Sequence, residues 1–227
     1  MQIYSFECPL STPQKQFEQL LPFVEEERQH QIKRLRNDAD QALALWSHLM
    51  LRALLMEQTS FPNSQLRFGF DSFQKPVFLS DPTIHFNLSH SGQWILCGVC
   101  TNDIGVDIEK IEPIHPNVLE VALTINEQKR YHTLSVQERS QYFYQLWTAK
   151  ESYLKLIGLG MNVLPNLIDV QLKGVNQFHI QSQQSEYEGF GRFYDIHLDY
   201  KAAVCNFVNH IPPNVVKIEG AWILSFF

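Results

Sequence analysis

Apolar positions recur with two different periods along this chain, and the period switches several times. Residues 2–7 alternate as a strand does. Helical spacing follows over residues 12–21, 25–36 and about 39–58. In the last of these, Leu43, Trp46, Leu49, Met50, Ala53 and Leu54 form one apolar face, and Pro62 and Asn63 end it. Strand patterns then run over residues 66–70, 77–79, 84–88, Trp94–Cys100 and 104–109. The joins between the last three are short, so they are expected to pair as an antiparallel meander, with Ser89 and His90 in the first turn.

Beyond Ile111-Glu112-Pro113-Ile114-His115-Pro116 the same order returns. Pro113 and Pro116 lack the N–H a continuing strand needs, which marks this stretch as the linker. Thr124-Ile125-Asn126-Glu127 fits the T-x-x-E capping box at a helix start. The next helix buries Phe143, Leu146, Trp147, Leu154 and Ile157, a stripe interrupted only by Lys150, and is expected to end near Gly158-Leu159-Gly160. Strands recur at 167–172, 178–181, 192–198, 202–207 and 215–218. A helix followed by three or more antiparallel strands therefore occurs twice. The expected fold class is α+β, in two similar halves over residues 1–110 and 111–227, each a long helix on a small, mainly antiparallel sheet.

With 227 residues, 44% of them hydrophobic and 19% charged, the chain can bury a substantial core as one large domain or two small ones. No apolar run approaches the roughly 20 residues that span a bilayer. Residues 1–8 lack the basic and apolar regions of a signal peptide, so no membrane association and a cytoplasmic location are expected. The formal charge of −6 disfavours nucleic acid as a partner. Cys97 and Cys100 form a C-x-x-C, but on a strand an i, i+3 pair faces opposite sides, and no second pair completes a zinc site.

Two segments carry chemistry. On the strand Ile104-Gly105-Val106-Asp107-Ile108-Glu109, the three β-branched residues share one face, so Asp107 and Glu109 project together from the other, beside Gly105. Paired carboxylates repel unless a cation neutralises them, and for an all-oxygen site near phosphate that cation is Mg²⁺. On the helix, Trp147, Glu151 and Lys155 are spaced by four and line the stripe beside the buried one. Alone, Glu151 and Lys155 would be an ordinary surface pair. Taken with the strand, Asp107, Glu109 and Glu151 become candidate metal ligands.

The stretches Phe86-Asn87-Leu88-Ser89-His90-Ser91-Gly92, Ile104 to Glu109 and Trp147-Thr148-Ala149-Lys150-Glu151-Ser152-Tyr153-Leu154-Lys155 together resemble the signature of the 4′-phosphopantetheinyl transferases, surfactin-type members in particular. The resemblance covers roughly residues 1 to 210. It implies a pseudo-twofold pair of halves with the active site at their junction, the first half being the coenzyme A side. The twofold repeat of architecture within one chain makes a monomer the expectation. The resemblance implies an enzyme that moves the 4′-phosphopantetheine arm of coenzyme A, with Mg²⁺, onto a serine of an apo acyl or peptidyl carrier protein of fatty-acid, polyketide or non-ribosomal peptide synthesis. Adenosine 3′,5′-bisphosphate leaves.

By the same resemblance, Glu151 and Lys155 are catalytic, and Glu151 or a metal-bound water is the base. Lys75, Ser89, His90, Asp107 and Lys155 hold the nucleotide and its phosphates, and Arg28 the 3′-phosphate. Gln74 stands where the family usually has Gly. Gln31 and Ala44 replace a lysine and a hydroxyl, so a weaker grip on the 3′-phosphate, or compensation from Arg34 or Arg36, is expected. Val118, Leu119, Val121 and Leu123 are read as a carrier-docking surface, with plain core as the alternative. A non-catalytic relative that binds coenzyme A or a carrier is the alternative function. A nuclease or pyrophosphohydrolase is disfavoured by the acidic balance, and no Walker-type phosphate loop appears.

Overall fold

Local signals account for most elements of the computed structural model, which describes residues 1–159, 163–182 and 185–227. Strand β1 (Gln2–Glu7) is followed by helices α1 (Gln14–Leu20), α2 (Glu26–Lys33) and α3 (Asp38–Thr59). Asn37 caps α3 by accepting the Asp40 N–H, and Ser60 ends it in the left-handed region. Helix α2 stops at Lys33, short of the expected residue 36, because only Ile32 is buried and no further turn has anything to pack against.

A hairpin of β2 (Phe68–Phe70) and β3 (Pro76–Phe78) precedes β4 (His85–Ser91), β5 (Trp94–Cys100) and β6 (Ile104–Lys110). Helix α4 (Pro116–Ala122) leads into α5 (Ile125–Thr133) and α6 (Val136–Ile157). Complete capping boxes, Thr124 with Glu127 and Ser135 with Glu138, start the last two. Gly158 ends α6 at φ +73°, and the expected endpoint at residue 160 lies outside the described residues. Strands β7 (Ile168–Lys173), β8 (Gln177–Ser182), β9 (Gly189–Tyr194), β10 (Tyr200–Asn206) and β11 (Val216–Ile218) and helix α7 (Gly220–Leu224) complete the α+β fold.

Besides the β2–β3 hairpin, two larger sheets form among the described residues, in the orders β11-β1-β5-β4 and β6-β10-β9-β8-β7, the second antiparallel throughout. The expected meander is therefore corrected. Strand β5 already has β1 on one side and β4 on the other, which leaves no edge for β6, and β6 pairs with β10. Strand β11, expected in the second half, pairs parallel to β1, and β6, expected in the first half, belongs to the second sheet, so the sheets do not divide at residue 110. Ser89 and His90 are not in a turn. They extend β4 opposite Leu96 and Ile95, and only Gly92, at φ +55°, and Gln93 make the reversal.

The layers run helix, sheet, sheet, helix. Helix α3 packs with Tyr4, Phe6, Ile95, Cys97 and Val99 on one face of the first sheet. The opposite face, with Ile3, Trp94, Leu96 and Cys100, meets Ile104, Val106, Ile108, Ala202 and Val204 of the second. Helix α6 covers the outer side of the second sheet with Phe143, Leu146, Ala149 and Tyr153. Cys97 and Cys100 fall in different cores, as strand alternation requires, and both are free thiols. Among the described residues, no helix is long and apolar enough to cross a membrane.

Candidate active site

Strands β4 and β6 are edge strands of different sheets, yet they lie side by side and run in the same direction. Their contact is made by alternate side chains of β4. Asn87 Oδ1 accepts the Val106 N–H at 2.8 Å, and Ser89 Oγ donates to Asp107 Oδ1 at 3.0 Å. Ser91 Oγ donates to Glu109 Oε2 at 2.9 Å and accepts the Lys110 N–H at 3.0 Å. Polar side chains at i, i+2 and i+4 thus join the two sheets and grip both carboxylates of the Asp-x-Glu strand.

Helix α6 lies directly on β6 because residue 105 has no side chain. A Cβ there would overlap the Ser152 carbonyl and the Leu156 amide. This contact carries Glu151 and Lys155 to the seam. Lys155 Nζ donates to Asp107 Oδ1 at 2.6 Å and to Ser89 Oγ at 2.9 Å, so one ammonium bridges both strands. Trp147, one turn before Glu151 and stacked on Phe143, reaches the Glu109 carboxyl.

Charges in this seam are strained in a way that suits a cation. Burial, with the neighbouring Asp107 charge, pushes the Glu109 carboxyl up to about 7, against Ser91, Lys155 and Trp147. Burial and Asp107 also raise Glu151, with Lys155 opposing. Asp107 is 2% exposed, and its Oδ2 is buried without a hydrogen-bond partner. Three hard oxygen donors, one an orphan acceptor, fit an Mg²⁺-type ion. They do not close into a ligand set by themselves: among the described residues, no group of three or more His, Cys, Asp or Glu is gathered to hold a metal. In this arrangement the Lys155 ammonium takes the place against Asp107.

A testable pH dependence follows. Between its ordinary value of 4.5 and about 7, the Glu109 carboxyl binds more proton folded than unfolded, so stability falls as pH rises through that window. Without divalent cation, Glu109→Gln should therefore melt several degrees above the parent at pH 8, with the gap closing by pH 5. Melting curves at the two pH values check this; a gap that is constant or reversed refutes it.

Strand alternation sends His90 to the other side of β4, toward α2 and α3. The residue keeps an exposed face, yet desolvation by its neighbours lowers its pKa, aided by the charges of Lys155 and Arg28. Arg28 donates from Nη1 to Gln31 Oε1 at 2.7 Å, while its Nε is buried without a partner. The departure at Gln31 therefore orients the arginine. Arg34 and Arg36 are exposed. His48, missed in the sequence reading, lies among these cations, its pKa pushed down to about 3 by burial and by Arg28, Arg52 and His90. Its only signal was a histidine on an apolar helix, one turn beyond Ala44.

Lys75 is engaged differently. Its ammonium donates to the Leu156 carbonyl at 3.1 Å, near the C-terminal end of α6, and lies 3.7 Å from Asp103. Gln74 keeps the backbone form expected of glycine, φ +67°, at an energetic cost on the order of 1 kcal/mol. Of the docking residues, Val121 is exposed and Val118 and Leu119 are half-buried, whereas Leu123 is fully buried in the second core. The core reading is correct for Leu123.

The seam also divides the chain in comparison with known proteins. Residues 11–101 match the family model described as 4′-phosphopantetheinyl transferase, N-terminal, and residues 103–205 that of the 4′-phosphopantetheinyl transferase superfamily. A 4′-phosphopantetheinyl transferase of Bacillus subtilis is 30% identical over 210 residues, 90% of this chain and 92% of the relative. The psf-1 transferase of Bacillus pumilus is 31% identical over 84% of this chain and 82% of its own length. Sfp of Bacillus subtilis strain 168 is 29% identical over 96% and 98%. The chain belongs to the 4′-phosphopantetheinyl transferase family.

Proposed function

We propose that this enzyme transfers the 4′-phosphopantetheine arm of coenzyme A to a serine of an apo acyl or peptidyl carrier protein, at the β4–β6 seam. The observation that carries this is Lys155, bridging Ser89 and Asp107 beside two carboxyls of raised pKa. In this reading the carrier serine Oγ bonds to the β-phosphorus of coenzyme A, the bond to the 3′,5′-bisphosphate leaving group breaks, and the serine proton passes to Glu151. Glu151 suits that role by position, since it projects from α6 one turn before Lys155 and beside Asp107. Lys155 holds a phosphate oxygen, and Ser89 fixes the direction of Lys155 and Asp107. His90, Arg28 and His48 offer donors for the remaining phosphate charge. Asp107, Glu109 and Glu151 would hold Mg²⁺, which would supply neutralisation of charge on the phosphoryl oxygens.

Mass spectrometry of an apo carrier incubated with coenzyme A and Mg²⁺ tests the reaction: the carrier should gain one phosphopantetheine. An unmodified carrier with coenzyme A still bound to the protein would favour the non-catalytic reading.

The docking surface on α4 makes its own prediction. Val121→Glu should raise the carrier KM roughly tenfold with little change in melting temperature, because the side chain is 56% exposed. Leu123→Glu should instead prevent stable folding, since a carboxylate replaces a side chain at 0% exposure. Steady-state kinetics and thermal melts separate the two; a parent-like KM for Val121→Glu removes this surface from docking.

A further inference from the structure

One charged pair in the second core takes no part in the reaction above. Lys150 is fully buried on α6, and its Nζ donates to Glu127 Oε2 at 2.5 Å and to the Ala122 carbonyl at 2.8 Å. The same Glu127 oxygen accepts the Thr124 N–H at 2.7 Å. The ion pair therefore ties together the last residue of α4, the N-cap of α5 and the residue next to Glu151 on α6.

Stability alone is a poor account of this pair. Apolar side chains of similar volume often replace a buried ion pair with neutral or favourable effect. What the pair adds over apolar packing is direction: charge-assisted hydrogen bonds fix both distance and angle, where methyl groups slide. The turn so fixed also presents Val121 and Ile125, 56% and 72% exposed, on either side of buried Ala122 and Leu123. Two large apolar groups thus face water on a backbone locked to the helix that bears Glu151 and Lys155.

We propose that the Lys150–Glu127 pair is a positioning device that sets the register between the carrier-docking surface of α4–α5 and the reacting groups on α6. This rests on the docking reading above. Neither residue touches substrate. Their effect is to hold a docked carrier so that its serine arrives at Glu151, and a misplacement on the order of 1 Å is enough to slow such a step about a hundredfold.

The full-length double variant Lys150→Met with Glu127→Leu removes both charges together, so neither is left buried alone. It should melt cooperatively, keep the KM for coenzyme A within about twofold of the parent, and lose roughly tenfold to a hundredfold in kcat/KM for the apo carrier. Lys150→Arg, which keeps the charge and changes the geometry, should fall between. A cooperatively folded double variant with parent kinetics toward the carrier overturns the proposal. Coenzyme A and carrier KM rising together also overturns it, because a merely structural role disturbs both. Should the double variant fail to fold, Lys150→Arg decides by the same split, and an unchanged carrier kcat/KM refutes the register role. Val121→Glu separates the two layers. A parent carrier KM there overturns docking and register together, whereas a raised KM there beside parent kinetics in the double variant overturns the register alone.

Discussion

Lys155→Ala is expected to lower kcat/KM for carrier modification on the order of a thousandfold. Lys155 is the cation that contacts both Ser89 and Asp107, so its loss removes a preoriented donor from the place where phosphate charge develops. Loss of one such donor costs about 10²–10³ in rate. It also leaves Asp107, 2% exposed and already carrying an orphan Oδ2, without its counter-charge. Removing one partner of a fully buried pair costs about 3–5 kcal/mol, and the 30% exposure of the Lys155 side chain brings the expected loss well below that. Added Mg²⁺ should restore part of the lost melting temperature if the proposed ligand set holds, because a bound divalent ion would take over neutralisation of Asp107. Single-turnover kinetics with melts run with and without Mg²⁺ check both halves; activity within tenfold of the parent would remove Lys155 from the proposed reaction.

Gly105→Ala should affect activity and stability together. The added methyl meets backbone atoms of Ser152 and Leu156, which cannot rotate away as a side chain tip can, so α6 or β6 must move. Overpacking of this kind costs about 1–3 kcal/mol. The same movement displaces Glu151 and Lys155 relative to Asp107, for a loss of about a hundredfold in kcat/KM. No glycine flexibility is involved, since residue 105 is ordinary strand; the requirement is close approach alone. A Gly105→Ala protein with parent melting temperature and parent kinetics would contradict the packing described for this site.

The strand Asp-x-Glu and the helix with Glu151 and Lys155 were legible because each depends on local periodicity, which a sequence displays directly. Gly105 beside the carboxylates was visible too, although its use, as the surface on which α6 lies, is a tertiary fact. Pairing partners were less legible. The short join before β6 suggested a meander, and only the occupation of both edges of β5 by β1 and β4 sends β6 to β10. Ser89 and His90 read as turn residues because polar side chains dominate there; in the fold those polar groups are a strand edge facing carboxylates on one side and cations on the other. Lys150 looked like an interruption of an apolar stripe, since its partner Glu127 lies 23 positions away behind a capping box. His48 gave no periodic signal at all.

The side-chain ladder across the seam has one more consequence. The amides of Val106 and Lys110 are held by Asn87 Oδ1 and Ser91 Oγ, acceptors that belong to the other sheet. Their deuterium uptake therefore reports separation of the two sheets at this seam, so these two N–H groups are native gauges of how often β4 and β6 part.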